Sequence, residues 1–103
     1  MIFRRRFRDV IDRQLDLFIR EQRGLIEDCA AAERAYNRAP RDEAEERYGD
    51  YLDLVETGTE ILADLRDAYA RTLDEDAAEE YESSFNRAVG KRLPRFALEL
   101  ENR

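Results

Sequence analysis

A stripe of carboxylates at helical spacing is the feature of this sequence best suited to chemistry. Its members are Glu46, Asp50, Asp53, Glu60, Asp64 and Asp67. Carboxylates spaced in this way can bind a divalent metal, and di-iron helical bundles use glutamates from several helices. Those sites point into a bundle and usually include histidine, whereas this stripe lies two positions away from the apolar seam that the same helix would bury. The pattern favours a solvated anionic surface, and a metal- or small-ligand-binding helical bundle is the alternative function.

The residue types that are missing exclude several kinds of catalysis. The 103 residues contain no histidine and a single cysteine, Cys29. Histidine-based triads and ordinary zinc sites are therefore excluded, as is an internal disulfide. No apolar run approaches the roughly 20 residues of a membrane span, and charged residues interrupt the segment after Met1 where a signal peptide would need apolar ones. We expect a cytoplasmic protein that is not an enzyme and uses no cofactor.

Charge is unevenly distributed along this chain of net charge −7. Residues 1–13 carry five arginines against two aspartates, and residues 83–103 carry five bases against two acids. Residues 42–82 carry 16 acids against three arginines. The cluster Arg4–Arg6 could contact a membrane or nucleic acid, but it is predicted to lie level with the acidic residues 74–76. Pairing within the chain is favoured, so neither a nucleic-acid nor a membrane partner is predicted.

Two apolar seams predict the main elements of the fold. The first seam comprises Ile11, Leu15, Phe18, Gln22, Leu25, Cys29, Ala32 and Tyr36. The second comprises Ala44, Tyr48, Tyr51, Val55, Gly58, Leu62, Leu65, Tyr69 and Thr72. Steps that alternate between four and three are typical of helices that pack along each other. With Pro40 between the seams, we predict an all-α fold with a long antiparallel, coiled-coil-like hairpin, helix 1 over about 3–38 and helix 2 over about 42–72.

The register of this hairpin follows from folding the chain at the turn, so that the numbers of facing residues add up to 80. Leu25 then faces Val55, and the polar Gln22 faces Gly58. Large residues oppose small ones in this register, as close packing requires. Gln22 either fixes the register or lines a small buried ligand site. In the second case the protein would be the small-ligand-binding helical bundle named above as the alternative function.

A shorter third helix is predicted over about 76–93, and it ends there because Pro94 follows. This helix completes the predicted single domain, residues 1–93. The tail 94–103 alternates apolar and polar residues with the period of a strand. It is too short to form a stable strand alone, so we expect it to be frayed or loosely docked; the alternative is an extended segment that lies on a partner subunit.

On one flank of the hairpin, Asp12 of the predicted helix 1 is placed to form an ion pair with Arg66 of the predicted helix 2.

Apolar residues on the flanks of the hairpin extend beyond the reach of the third helix. The candidate interaction surface consists of Ile19, Ile26, Tyr48, Tyr51 and Leu52. Each apolar flank needs a partner to bury it, and a second copy of the chain is the simplest one. The sequence therefore predicts a self-associating interaction or scaffold protein, a homodimer that completes a bundle, with an unidentified protein partner as the other occupant.

One enzyme family shares local sequence features with this chain. The stretch RDVIDRQLDLFIREQ, residues 8–22, resembles the opening helix of the all-helical chorismate mutases, and PRDEAEERYGDYL, residues 40–52, is similar to the start of their second helix. The resemblance implies a dimeric enzyme that binds a dianionic substrate with inward arginines and a lysine. The only lysine here is Lys91, near the end of the predicted third helix, so the lysine expected late in helix 1 is missing. The arginines on the outer face of the predicted hairpin are Arg13, Arg20 and Arg34. A chorismate-mutase-like enzyme is therefore the most remote alternative.

Overall fold

The chain folds into α-helices joined by short turns in a computed structural model that describes residues 6–103. The helices are α1 (Arg8–Glu21), α2 (Arg23–Arg38), α3 (Ala44–Ala70), α4 (Glu75–Arg92) and α5 (Pro94–Glu101). No strand forms in this part of the chain, and the all-α prediction is confirmed there. The molecule is elongated, with extents of 50 × 24 × 24 Å.

The first predicted helix, 3–38, is interrupted at Gln22, which separates α1 from α2. Gln22 leaves the helical region of backbone space, with φ −108° and ψ 27°. The break is local, because the Gln22 N–H still donates to the Phe18 carbonyl (2.8 Å) and the Ile26 N–H donates to the Gln22 carbonyl (2.9 Å). Gly24, a weak helix former, lies two residues after Gln22. The beginning of the predicted helix, residues 3–5, lies outside the described residues.

Helices α2 and α3 pack on each other on either side of a turn at residues 39–43. Ala39 is extended, with φ −65° and ψ 139°, which is the conformation favoured before a proline. The turn is closed by the Glu43 N–H, which donates to the Pro40 carbonyl at 2.9 Å. Glu43 is the N-cap residue of α3, and no side chain caps this end of the helix. The sharp turn directs α3 back along α2.

The segment predicted to be a loose tail forms helix α5. Pro94 lies in its first turn, where the missing N–H has no intrahelical partner to lose. Phe96 and Leu100, four residues apart, point into the core and are 1% and 0% exposed. The Phe96 ring lies against Gly58 of α3, where an added Cβ would be 2.8 Å from Cζ of the ring. The space beside Gly58 is thus occupied by an aromatic ring rather than by Gln22, which was predicted to face this glycine.

Arg66 of α3 is buried, at 3% exposure, and connects three helices. Its Nε donates to Oδ1 of Asp67 at 2.9 Å, and its Nη1 donates to Oδ1 of Asn86 in α4 at 3.0 Å. Nη1 also donates to the carbonyl oxygen of Leu100 at 3.2 Å, so a cation lies at the negative C-terminal end of α5. The predicted pairing with Asp12 is wrong, because the Arg66 guanidinium donates instead to Asp67, Asn86 and the Leu100 carbonyl.

Helix α4 covers the region of the predicted third helix and packs on α1 and α3. The Asp74 side chain caps it by accepting a hydrogen bond from the Ala77 N–H at 2.9 Å. Tyr81 is fully buried at its centre, with ring centroids 5.4 Å from Phe7 and 4.7 Å from Tyr69. Burial raises the pKa of Tyr81 to about 12, and its hydroxyl donates to Oε1 of Gln14 at 2.8 Å. This aromatic cluster anchors α4 to the start of α1.

Candidate interaction surface

Large apolar side chains are exposed next to the α2–α3 turn. Tyr48 and Leu52 of α3 are 45% and 41% exposed, and Tyr36 of α2 is 38% exposed. The ring centroids of Tyr36 and Tyr48 are 5.0 Å apart, and those of Tyr48 and Tyr51 are 6.3 Å apart. We name these four residues, Tyr36, Tyr48, Tyr51 and Leu52, the tyrosine patch. Its rings are already in contact with one another, so the patch is one continuous surface.

The helices that complete the core leave this end of the molecule open. Helices α4 and α5 pack on α3, and α4 also packs on α1. Tyr48 and Leu52 are four residues apart and share one face of α3, next to the buried face that includes Val55. Cover from α5 extends as far as Tyr51, so the exposed part of the patch lies beyond it.

Arg95, at the start of α5, forms the boundary between the patch and the core. Its guanidinium lies over the Tyr51 ring, 5.6 Å from the centroid, and its Nη2 donates to Oε1 of Glu33 in α2 at 3.4 Å. Burial raises the pKa of Tyr51, and the charge of Arg95 opposes that shift. The Nη1 atom of Arg95 is buried and has no hydrogen-bond acceptor among the described residues. Arg95 thus links α5 to both α2 and α3.

The two isoleucines of the candidate interaction surface are less accessible than the tyrosines. Ile19 and Ile26 are half-buried and pack against the core. Ile26 lines a cavity of about 360 Å³ with Tyr51 and Arg95, directly beside the patch. Ile19 lies in α1, on the other side of the break at Gln22, and does not line that cavity. The structure therefore brings Tyr48, Tyr51 and Leu52 together, with Ile26 at their edge.

Sequence reasoning missed two members of this region. Tyr36 is a seam residue outside the candidate interaction surface named from the sequence, and its place in the last turn of α2 puts it opposite Tyr48. Arg95 was assigned to a frayed tail. The signal that could have found it is a proline followed by Phe96 and Leu100 at helical spacing, which is typical of a short helix with an apolar face.

The residues considered for metal or thiol chemistry do not assemble into a site. Within residues 6–103, no three acidic or cysteine side chains converge in a way that could hold a metal ion. Most of the carboxylate stripe is exposed on α3, and Asp67 is bound to Arg66. Cys29 is fully buried, and burial raises the pKa of its thiol, partly opposed by Arg95. A buried, protonated thiol is a poor nucleophile.

The basic N-terminus is described only from Arg6 onward. Nη1 of Arg6 lies 3.9 Å from Oε1 of Glu80 in α4, and its guanidinium is 5.1 Å from the centroid of the Phe7 ring. Arg4 and Arg5, for which pairing with residues 74–76 was predicted, lie outside the described residues. None of the described helices combines the length and hydropathy that crossing a membrane requires.

Comparison with known proteins finds no matching family model, no similar curated protein and no similar solved structure. Function therefore has to be argued from the geometry of this chain's own sites.

Proposed function

We propose that this chain is a non-enzymatic, cytoplasmic interaction or scaffold protein that forms a homodimer through the tyrosine patch. The observation that carries the proposal is the contiguous exposure of Tyr36, Tyr48 and Leu52, each more than a third accessible. Exposed apolar clusters of this kind mark protein–protein contacts, and tyrosine is among the residue types enriched in interfaces.

The charges around the patch support a second copy of the chain as the occupant. The exposed bases Arg34 and Arg38 lie in the last turns of α2, whereas the exposed acids Glu45 and Glu46 lie in the first turn of α3. A two-fold axis through the patch that sets α2 of one copy along α3 of the other opposes these charges twice. Such an isologous contact is the commonest kind in homodimers, and complementary charge favours it over an unrelated partner.

In the proposed dimer, α2 and α3 of each copy form an antiparallel, coiled-coil-like hairpin, and two hairpins complete a four-helix bundle. The contact covers Tyr48 and Leu52 on both copies at once. The cavity beside Ile26 and Tyr51 receives a partner side chain at the edge of the interface. This arrangement buries the apolar flank that the third helix was predicted to leave open.

The proposal is tested by the mass of the protein in solution, measured by size-exclusion chromatography with light scattering. At micromolar concentration the unmodified chain should have twice the 12.2 kDa mass of one copy. Leu52→Glu should convert it to a monomer, because two buried leucines are lost per dimer, which weakens association at least about a hundredfold. Leu98→Glu is the matched control, since Leu98 is 74% exposed on α5 and is not a residue of the tyrosine patch.

Two results would contradict the homodimer. One is an unmodified chain that stays monomeric across the concentration range, which would leave an unidentified protein partner as the occupant of the patch. The other is a dimer that Leu98→Glu disrupts and Leu52→Glu does not, which would move the interface to α5. Circular dichroism of both variants separates loss of association from loss of helical structure.

A further inference from the structure

Basic side chains from opposite ends of the sequence meet in a groove between α1 and α4. The groove has a volume of about 360 Å³, and its basic residues are Arg8, Arg87, Lys91 and Arg92. We name it the basic groove. It unites the two basic ends of a chain whose net charge is −7. Because like charges repel, gathering four cations at one place is unfavourable unless opposite charge accompanies them.

The protein itself supplies only part of that opposite charge. Arg92 is held by α1, since its Nη2 lies 2.6 Å from Oδ1 of Asp16 and its Nη1 donates to the Asp12 carbonyl at 3.4 Å. Asp12 also lines the groove, and its carboxylate forms no ion pair within residues 6–103. The other three bases form no ion pair with any residue in the described range 6–103. Three cations therefore face one uncommitted carboxylate.

The remaining lining suits an organic anion better than a free ion. Ile11, which is buried in the core, and Ala88 present carbon atoms to the groove. Ser84 adds a hydroxyl that can donate or accept a hydrogen bond. The volume is in the range of small-molecule sites. Charged groups, a hydroxyl and an apolar wall together match a ligand with an anionic end and a compact carbon skeleton.

We propose that the basic groove binds a small, multiply charged anion that carries phosphate groups, such as a phosphate ester or a diphosphate. Arginine guanidinium groups bind phosphate oxygens through two parallel hydrogen bonds, and the ammonium of Lys91 adds a point charge. Two or three negative charges on one ligand balance the uncommitted cations. The site uses no residue of the tyrosine patch, so it stands or fails independently of the homodimer.

The experiment is a calorimetric titration of the full chain with pyrophosphate at fixed ionic strength. Saturable binding of one pyrophosphate per chain is expected. Arg87→Gln combined with Lys91→Gln should weaken it about tenfold or more, because two charge-assisted hydrogen bonds are lost. The matched control, Arg23→Gln combined with Arg41→Gln, removes the same charge from exposed positions in α2 and the α2–α3 turn. It should leave the affinity within about twofold, since exposed charges at a distance are screened.

Two outcomes would overturn the proposal: no saturable binding up to about 10 mM pyrophosphate, or equal weakening in both double variants. If circular dichroism shows that the groove variant does not fold, Arg8→Gln replaces it, because Arg8 is exposed in the first turn of α1. The source of the phosphate is identified by co-sedimentation with phosphatidic acid vesicles, with phosphatidylcholine vesicles as control. If the protein binds pyrophosphate and also binds phosphatidic acid vesicles but not phosphatidylcholine vesicles, the ligand of the groove is a lipid headgroup. Pyrophosphate binding without vesicle binding assigns it to a soluble phosphate.

Discussion

Replacing Gly58 by alanine should destabilise the protein, whereas the same replacement at Gly49, earlier in α3, should stabilise it. An added Cβ at Gly49 meets no atom within 4 Å. At Gly58 it would lie 2.8 Å from Cζ of Phe96, so the ring has to move. Phe96 has little freedom to do so, since it is 1% exposed and in edge-to-face contact with Phe18, with ring centroids 6.0 Å apart.

The expected sizes follow from helix propensity and packing. In a helix interior alanine is favoured over glycine by about 1 kcal/mol, so Gly49→Ala should raise the free energy of unfolding by about 0.5–1 kcal/mol. At Gly58 the same gain is opposed by overpacking, which costs about 1–3 kcal/mol. We expect Gly58→Ala to lower the free energy of unfolding by about 1 kcal/mol. The two variants should therefore differ by about 2 kcal/mol, or roughly 10 °C in Tm.

Urea denaturation followed by circular dichroism measures this difference, at equal protein concentration because association shifts apparent stability. A second variant identifies the cause: Phe96→Leu should be less costly in the Gly58→Ala background than in the unmodified chain, because it removes the clashing ring. The reasoning is refuted if Gly58→Ala is as stable as Gly49→Ala. That result would mean that α5 does not dock on α3 at this glycine.

Three further predictions concern the core. Tyr81→Phe should lower the free energy of unfolding by about 1 kcal/mol at neutral pH through loss of the bond to Gln14. Because the pKa of Tyr81 is raised to about 12 in the folded protein, the unfolded state loses this proton first, and stability should fall between about pH 10 and pH 12 by up to about 3 kcal/mol. Urea titrations across this range should show a smaller fall in Tyr81→Phe, and an equal fall would contradict the assignment. Arg66→Met should lower the free energy of unfolding by about 2–4 kcal/mol, since buried acceptors lose their donor, and a change under 0.5 kcal/mol would refute its bridging role. Cysteines introduced at Leu25 and Val55 should cross-link under mild oxidation, as judged by electrophoretic mobility, and cross-linking at shifted pairs instead would contradict the register.

The helical class was predictable from the sequence because the heptad seams persist over several turns and glycine and proline are scarce. The break at Gln22 was not, because a kink that keeps the flanking hydrogen bonds also keeps the phase of the seam. Helix α5 was missed because the ten residues 94–103 fit a strand period and a helix period almost equally well. Contact of Phe96 with Gly58 decides between them, and that contact joins distant parts of the chain.

The candidate sites were likewise predictable only where they depend on residues that are close together in the sequence. Tyr48 and Leu52 could be placed on an uncovered flank because neighbouring residues of one helix share a face. The partners of Arg66 in other helices could not be predicted, since Asn86 depends on where α4 docks and the Leu100 carbonyl on where α5 docks. The basic groove could not be predicted either: Arg8 and Lys91 meet only because α1 packs on α4, and the periodicity of each helix does not specify its neighbour.

Sedimentation equilibrium of the unmodified chain tests the central claim, self-association through the tyrosine patch, most directly. The account predicts a mass that rises from one copy to twice the 12.2 kDa of the chain as concentration increases through the micromolar range, and that stays at one copy for Tyr48→Glu. An unmodified chain with the mass of one copy at every concentration up to about 100 μM would contradict the proposed dimer.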